Sequence, residues 1–253
     1  MKMNIQQLFD LSGRTALVTG SSRGIGKAIA VILAAAGAKI FLHASKSGEK
    51  LDAAAKEINA AGGEAIAIAA NLSSGGEIDT LIQQIGQLDI LVLNASTQFY
   101  GTIESFNADD FQFQYDVNVR STFKLIKAFL PGMQERNWGR LLSIGSVNEF
   151  KPAPRLAVYS STKAAQTNLI LNCARQYSQF GITANNLAPG VIMTDRNGKA
   201  LEDGQFREIL LESIPAKRFG RPEDCAAMAL LLCSNAGAYI TGANIPVTGG
   251  MDL

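Results

Sequence analysis

The sequence predicts an α/β protein: a single doubly wound domain over residues 1–253, with a parallel sheet of about seven strands and helices on both faces. Three observations carry this. Short β-rich runs alternate with longer helical stretches along the whole chain, as in successive strand–helix–strand units. Runs such as "ILVL" (90–93) are apolar at every position, which fits strands covered on both faces. No internal repeat, low-complexity tract or linker divides the chain. A 47% hydrophobic content is enough for one sizeable core.

The elements follow in order. "TALVT" (15–19) reads as the first strand, and 24–36, rich in alanine, as the helix after it. "KIFLH" (39–43) is the second strand, and "EKLDAAAKEINAA" (49–61) an amphipathic helix that Gly62 and Gly63 end. "EAIAIAA" (64–70) is the third strand, 78–85 a helix, and "DILVLN" (89–94) the fourth strand. A long helical region over 108–136 is expected to break near Pro131 and Gly132. "GRLLSIGS" (139–146), a long helix over 157–180 and "ITANNLA" (182–188) come next, then a helix over 222–233 and a short last strand, "ANIPV" (243–247). "CAAMALLLC" (225–233) is apolar almost all round, so this helix is expected to be buried, with a second subunit as one source of cover.

Composition excludes several functions. A formal net charge of +1 gives no reason to expect a nucleic-acid or acidic-membrane partner. Residues 1–10 are mixed polar and do not read as a signal peptide, and the apolar run 226–233 is far too short to span a bilayer. Cys173, Cys225 and Cys233 are scattered, with neither metal-ligand spacing nor a disulfide framework, and read as reduced thiols of a cytoplasmic protein. His43 is the only histidine and ends a buried strand, so it reads as structural or as a cofactor-edge residue. A histidine-built zinc site is excluded by count, and no metal is expected.

In doubly wound sheets ligands bind beyond the carboxyl ends of the strands, so the chemistry is sought there. The first such segment is "TGSSRGIG" (19–26), with Gly20, Gly24 and Gly26 at a strand-to-helix turn. Glycine permits a tight turn and a close backbone approach to a pyrophosphate, and the following helix turns its free N–H groups toward the anion. The spacing matches neither a Walker A loop nor G-x-G-x-x-G, and dinucleotide binding is preferred over a bare turn. After the second strand, NAD sites usually place a carboxylate for the ribose 2′-hydroxyl. Here the position, eighteen residues beyond Gly26, is Ala44; Ser45 and Lys46 follow, and Arg23 projects from the glycine turn. A 2′-phosphate wants cations and hydroxyls, so NADP(H) is expected over NAD(H). Asn94 and Ala95 follow the fourth strand, and Ser146 follows the fifth, thirteen residues before Tyr159. In "VYSSTKAA" (158–165), Tyr159 and Lys163 lie one turn apart on one helix face, where an ammonium would favour ionisation of the phenol.

With "TGSSRGIG", "LNAS", Asn118 in "YDVNV", Ser146, "YSSTK", "APGVIMT" and the closing "VTGG" in this order, the chain resembles the short-chain dehydrogenases/reductases nearly end to end, in the branch of about 250 residues. The resemblance implies a Rossmann-like fold and a catalytic set of Asn118, Ser146, Tyr159 and Lys163. Tyr159 would be the general acid in carbonyl reduction and the base in alcohol oxidation. Lys163 would lower its pKa and hold the nicotinamide ribose; Ser146 would bind the substrate oxygen; Asn118 would hold a water linking Lys163 to solvent. It also implies a cofactor site of Gly20, Ser22, Arg23, Gly24, Ile25 and Gly26, with Ser45, Lys46, Asn71 and Leu72 on the adenosine side. Asn94, Ala95, Ser96, Tyr159, Lys163, Pro189, Gly190, Ile192 and Thr194 would complete it toward the nicotinamide.

Some positions depart from the family pattern. Ser96 stands where a glycine gives clearance, Asn71 where an aspartate often lies near the adenine, and Thr248 where an aspartate precedes the final glycine pair. The substrate lid is expected at roughly 191–213, with Gln98, Phe99, Tyr100, Ser146, Asn148, Glu149, Phe150 and Tyr159 around the substrate. The resemblance implies a small-molecule carbonyl or alcohol substrate, closest to that of 3-oxoacyl-[acyl-carrier-protein] reductases, with sugar, polyol or other carbonyl reduction as the alternative. It also implies a homo-oligomer, a tetramer first. A non-catalytic NADP(H)-sensing protein is the rival of another class.

Overall fold

The computed structural model describes residues 4–195 and 204–253. Its centre is a seven-stranded sheet: β1 (Thr15–Val18), β2 (Lys39–Ala44), β3 (Glu64–Ala69), β4 (Ile90–Leu93), β5 (Gly139–Ile144), β6 (Ile182–Pro189) and β7 (Asn244–Val247). The order is β3-β2-β1-β4-β5-β6-β7, and every pairing is parallel. The chain starts at β1, moves outward to β3, then crosses back to β4 and moves outward the other way. The reversal leaves a crevice at the carboxyl ends of β1 and β4, where such sheets bind ligands. Pro246, which lacks an N–H, sits on the edge strand β7, where none is needed for a further neighbour.

Alternate residues of the central strands enter opposite cores, as a two-residue period requires. Ile90 and Val92 join Ile29, Leu33 and Leu232 on one face; Leu91 and Leu93 join Leu81, Leu125, Phe129 and Ile170 on the other. The first core is roofed by α2 (Gly24–Ala35) and α3 (Glu49–Ala60), the second by α4 (Gly75–Ile85), α6 (Ser121–Glu135) and α7 (Ala157–Tyr177). The other α-helices among the described residues are α1 (Ile5–Phe9), α5 (Ala108–Tyr115), α8 (Gly204–Glu212) and α9 (Pro222–Cys233). Among the described residues no helix is long and apolar enough to cross a membrane.

The structure revises two expectations and makes a third specific. The region 108–136 does not break at Pro131, which lies inside α6 on its exposed face, so the Lys127 carbonyl that it leaves without a partner is open to water. The irregularity comes earlier, as a π-helical turn at Asp116–Arg120. α4 begins at Gly75 rather than 78, because the Ser74 side chain accepts the Glu77 N–H and caps it. Finally, Cys225, Ala226, Ala229, Leu232 and Cys233 of α9 are covered within this chain, in the core they share with α2.

Candidate active site

At the end of β1 the chain turns tightly into α2. Gly20 and Gly24 have φ of 65° and 58°, a region that L side chains rarely adopt. A Cβ on Gly26 would lie 2.4 Å from Asn94 Nδ2 and 2.5 Å from the Gly20 carbonyl oxygen, so only glycine lets α2 come this close. Asn94 locks the turn: its Nδ2 donates to the carbonyls of Thr19 (2.9 Å) and Gly20 (3.0 Å). His43 supports it from below. Its Nδ1 accepts the Gly20 N–H at 3.1 Å, so the ring is the neutral Nε2–H tautomer, and Nε2 donates to the Ala70 carbonyl at 2.9 Å. Burial pushes the His43 pKa below its ordinary value.

The segment after β2 carries Ala44 at its end and then exposed Ser45 and Lys46. The cation that meets Arg23 is Lys50, in the first turn of α3. Asp195 Oδ2 takes both, from Lys50 Nζ at 2.6 Å and Arg23 Nη1 at 3.3 Å. The Lys50 and then the Arg23 contacts hold the Asp195 carboxyl below the usual carboxylate range. Sequence reading missed Lys50 because the end-of-strand position drew attention to Lys46; its place on α3, one turn along, was the available signal.

Ser146, Tyr159 and Lys163 come together at the end of β5. Pro152 and Pro154 keep the intervening segment out of helix, and α7 opens at Ala157, so Tyr159 lies in its first turn. Lys163 is 1% exposed, and its Nζ donates to the Ile144 carbonyl at 2.6 Å and Gln166 Oε1 at 3.0 Å, 5.9 Å from the Tyr159 ring centroid. A buried ammonium needs such acceptors. Ser146 follows β5 and caps a short 3₁₀ turn, Val147–Glu149; its backbone N–H donates to Glu149 Oε1 at 3.1 Å.

Asn118 sits in the π-helical turn, fully buried. Its Oδ1 accepts the Thr97 N–H (2.8 Å), and its Nδ2 donates to the Thr97 carbonyl (2.9 Å) and Thr162 Oγ1 (3.0 Å). Its own carbonyl accepts from Thr122 Oγ1, which accepts from Gln166 Nε2, so a buried chain runs from Asn118 to Lys163. Sequence reading missed Thr122, Thr162 and Gln166, which become visible only once α6 and α7 are packed together.

One cavity of about 580 Å³ joins these parts. Of the predicted residues, Gly20, Arg23, Gly24, Ile25, Gly26, Asn94, Ser96, Gln98, Tyr100, Ser146, Asn148, Tyr159, Lys163, Pro189, Gly190, Ile192 and Thr194 line it. Asn118 and Ala95 stand behind this lining; Asn71, Leu72, Ser22, Ser45 and Lys46 lie outside it. Asn71 Oδ1 accepts from the Ser73 N–H and hydroxyl, and Leu72 belongs to the core. Phe99 stacks on Phe113, and Phe150 is 45% exposed, so neither lines the cavity. Lys151 Nζ is engaged by the Met251 carbonyl at 2.6 Å. Of the predicted lid over 191–213, residues 196–203 lie outside the described residues.

The glycine cradle, with no room for a Cβ at Gly26, fits the close approach of a dinucleotide phosphate, and the cavity continues from it to Ser146 and Tyr159. Comparison with known proteins agrees with this geometry. The family model described as "short chain dehydrogenase" matches residues 14–205. A 3-oxoacyl-[acyl-carrier-protein] reductase of Synechocystis sp. is 37% identical over 246 residues, 95% of this chain and 98% of the relative. The crystal structure of a 3-oxoacyl (acyl-carrier-protein) reductase from Agrobacterium tumefaciens with NADP bound is 43% identical, with a TM-score of 0.94 over 98% of each chain. A gluconate 5-dehydrogenase from Burkholderia cenocepacia, in complex with NADP and tartrate, is 31% identical, with a TM-score of 0.91 over 98% of each chain. With the glycine turn, the Ser146–Tyr159–Lys163 cluster and these relatives all in agreement, this chain belongs to the short-chain dehydrogenase/reductase family of oxidoreductases.

Proposed function

We propose that this protein is an NADP(H)-dependent reductase of a carbonyl group, or dehydrogenase of the matching secondary alcohol, working as a single catalytic domain with Tyr159 as general acid and base. One observation carries the reading: a single cavity joins the glycine turn to Ser146, Tyr159 and the buried Lys163. The bound nicotinamide supplies the hydride. Everything else falls to this chain. The α2 turn would hold the pyrophosphate on backbone N–H groups, with Thr194, close to Gly24, beside it. Arg23 and Lys50, which converge on Asp195 Oδ2, would give a 2′-phosphate two cations as it takes the place of that carboxylate, and no further carboxylate stands at Ala44 to repel it. Ser146 donates to the substrate oxygen, and the Tyr159 hydroxyl delivers the proton there as that oxygen gains charge. Lys163 stays charged on the Ile144 and Gln166 oxygens and favours the phenolate that remains. The chain through Gln166, Thr122 and Asn118 holds that ammonium in place.

The substrate read first is a 3-oxoacyl thioester, which the Synechocystis and Agrobacterium relatives support. A sugar or polyol is the second reading. It is favoured by the polar groups Gln98, Tyr100 and Asn148 on the cavity wall, and by the NADP and tartrate complex of the Burkholderia relative. The unpaired thiols fit a cytoplasmic enzyme, and exposed Phe111, Phe113 and Phe123 on α5 and α6 fit an oligomer, a tetramer first. The test is loss of nicotinamide absorbance with NADPH or NADH against acetoacetyl-coenzyme A, keto-sugars and simple ketones. NADPH consumption above that of NADH is the expected result. Tight NADPH binding with no turnover across the panel would instead favour a dinucleotide sensor.

A further inference from the structure

The hydroxyl of Ser146 has one proton to give and two lone pairs to receive. Both receiving positions are taken by a single residue. The Asn148 backbone N–H lies 3.2 Å from Ser146 Oγ, and Asn148 Nδ2 lies 3.1 Å from it. A backbone N–H and an amide NH₂ can only donate, so Ser146 accepts in both contacts. The amide cannot be turned round, because Asn148 Oδ1 accepts the Ala153 N–H at 2.9 Å, and a flip would set two donors face to face. Among the described residues nothing accepts the proton of Ser146, which lines the same cavity as Tyr159.

We infer that Asn148 is a positioning residue that makes the Ser146 hydroxyl a one-way hydrogen-bond donor toward the substrate oxygen. A free serine hydroxyl rotates and can receive as readily as it gives. Here the rotation is settled before substrate arrives, so the proton points where negative charge develops and no reorganisation is left for the reaction. The Glu149 carboxylate on the Ser146 N–H fixes the backbone of the same turn. The inference rests on the reading above, in which Ser146 binds the oxygen being protonated.

The discriminating variant is Asn148→Asp. It is isosteric and keeps an oxygen for the Ala153 N–H, but it sets an acceptor beside Ser146 and draws the proton inward. With NADPH and acetoacetyl-coenzyme A, or the best keto-sugar of the panel, kcat should fall about 10²-fold, close to Ser146→Ala, with NADPH binding by fluorescence unchanged. The double variant Ser146→Ala/Asn148→Asp should be no slower than Ser146→Ala alone; losses that multiply would mean that Asn148 acts independently of Ser146 and would overturn the inference. A readout independent of activity is the ¹H–¹⁵N spectrum of the free protein. Ser146→Ala should move the Asn148 side-chain amide signals, and unmoved signals would also overturn it. Turnover retained by Tyr159→Phe would instead refute the catalytic reading. An inactive Tyr159→Phe beside an Asn148→Asp of wild-type kcat would refute the inference alone.

Discussion

Glu149 ties four segments together, and its removal has a calculable cost. Oε1 accepts the Ser146 N–H at 3.1 Å and Asn186 Nδ2 at 2.9 Å, while Oε2 accepts the Thr167 hydroxyl and, at 3.5 Å, Asn244 Nδ2. The last is at the limit of a hydrogen bond and involves an exposed side chain, so it counts for nothing. Each of the other three is a charge-assisted bond, half screened by the partial exposure of Glu149, and contributes about 1–1.5 kcal/mol. Glu149→Ala therefore removes about 3–4.5 kcal/mol of stability. Glu149→Gln keeps an oxygen for Ser146 and Asn186, and the Thr167 hydroxyl rotates to accept from the new NH₂, so it loses only about 1 kcal/mol. The assay is urea unfolding at one fixed protein concentration, because assembly would add to the apparent stability. With m about 3 kcal/mol/M, the Glu149→Ala midpoint drops by about 1–1.5 M. An alanine variant within about 0.5 kcal/mol of wild type would refute the reasoning, and so would a glutamine variant as damaged as the alanine one.

Two further outcomes follow from the cofactor turn. Ala44→Asp places a carboxylate where a 2′-phosphate would meet Arg23 and Lys50, and should weaken NADPH relative to NADH at least about tenfold, or ~1.4 kcal/mol, in fluorescence titrations; an unchanged ratio would place the phosphate elsewhere. His43 is held neutral, with its pKa lowered by burial, so below about pH 6.5 the unfolded chain binds a proton that the folded one does not. Stability should fall as pH drops from about 6.5 toward the lowered folded value, stay flat in this respect above it, and lose that slope in His43→Gln; an unaltered slope in the variant would clear His43 of the effect.

The sheet was legible because its physics is local. Leu91 and Val92 must be buried whichever face they serve, and a run of such residues between helices admits few other folds. The glycine turn was legible for a similar reason, since the strain at Gly20 and Gly24 is written in residue type. The π-helical turn at Asp116–Arg120 was not, because one extra residue in a helical turn leaves no periodic signature, and Pro131 drew the expected break to the wrong place. Glu149 was legible as polar and near the substrate, but sequence cannot say which way a side chain turns; it faces inward, to Asn186 on β6 and Thr167 on α7. The partners of Lys163 stayed hidden for the same reason, since the Gln166–Thr122 contact joins residues forty-four apart.

The central claim is that Tyr159 gives the proton. NADPH turnover by Tyr159→Phe, measured beside wild type on the best substrate of the panel and with NADPH binding titrated in both, tests it most directly. The substitution removes one hydroxyl and leaves the ring against Lys163. The account predicts unchanged NADPH binding and a loss of kcat of at least about 10²-fold. Turnover within a few-fold of wild type would contradict it and pass the proton to another group on the cavity wall.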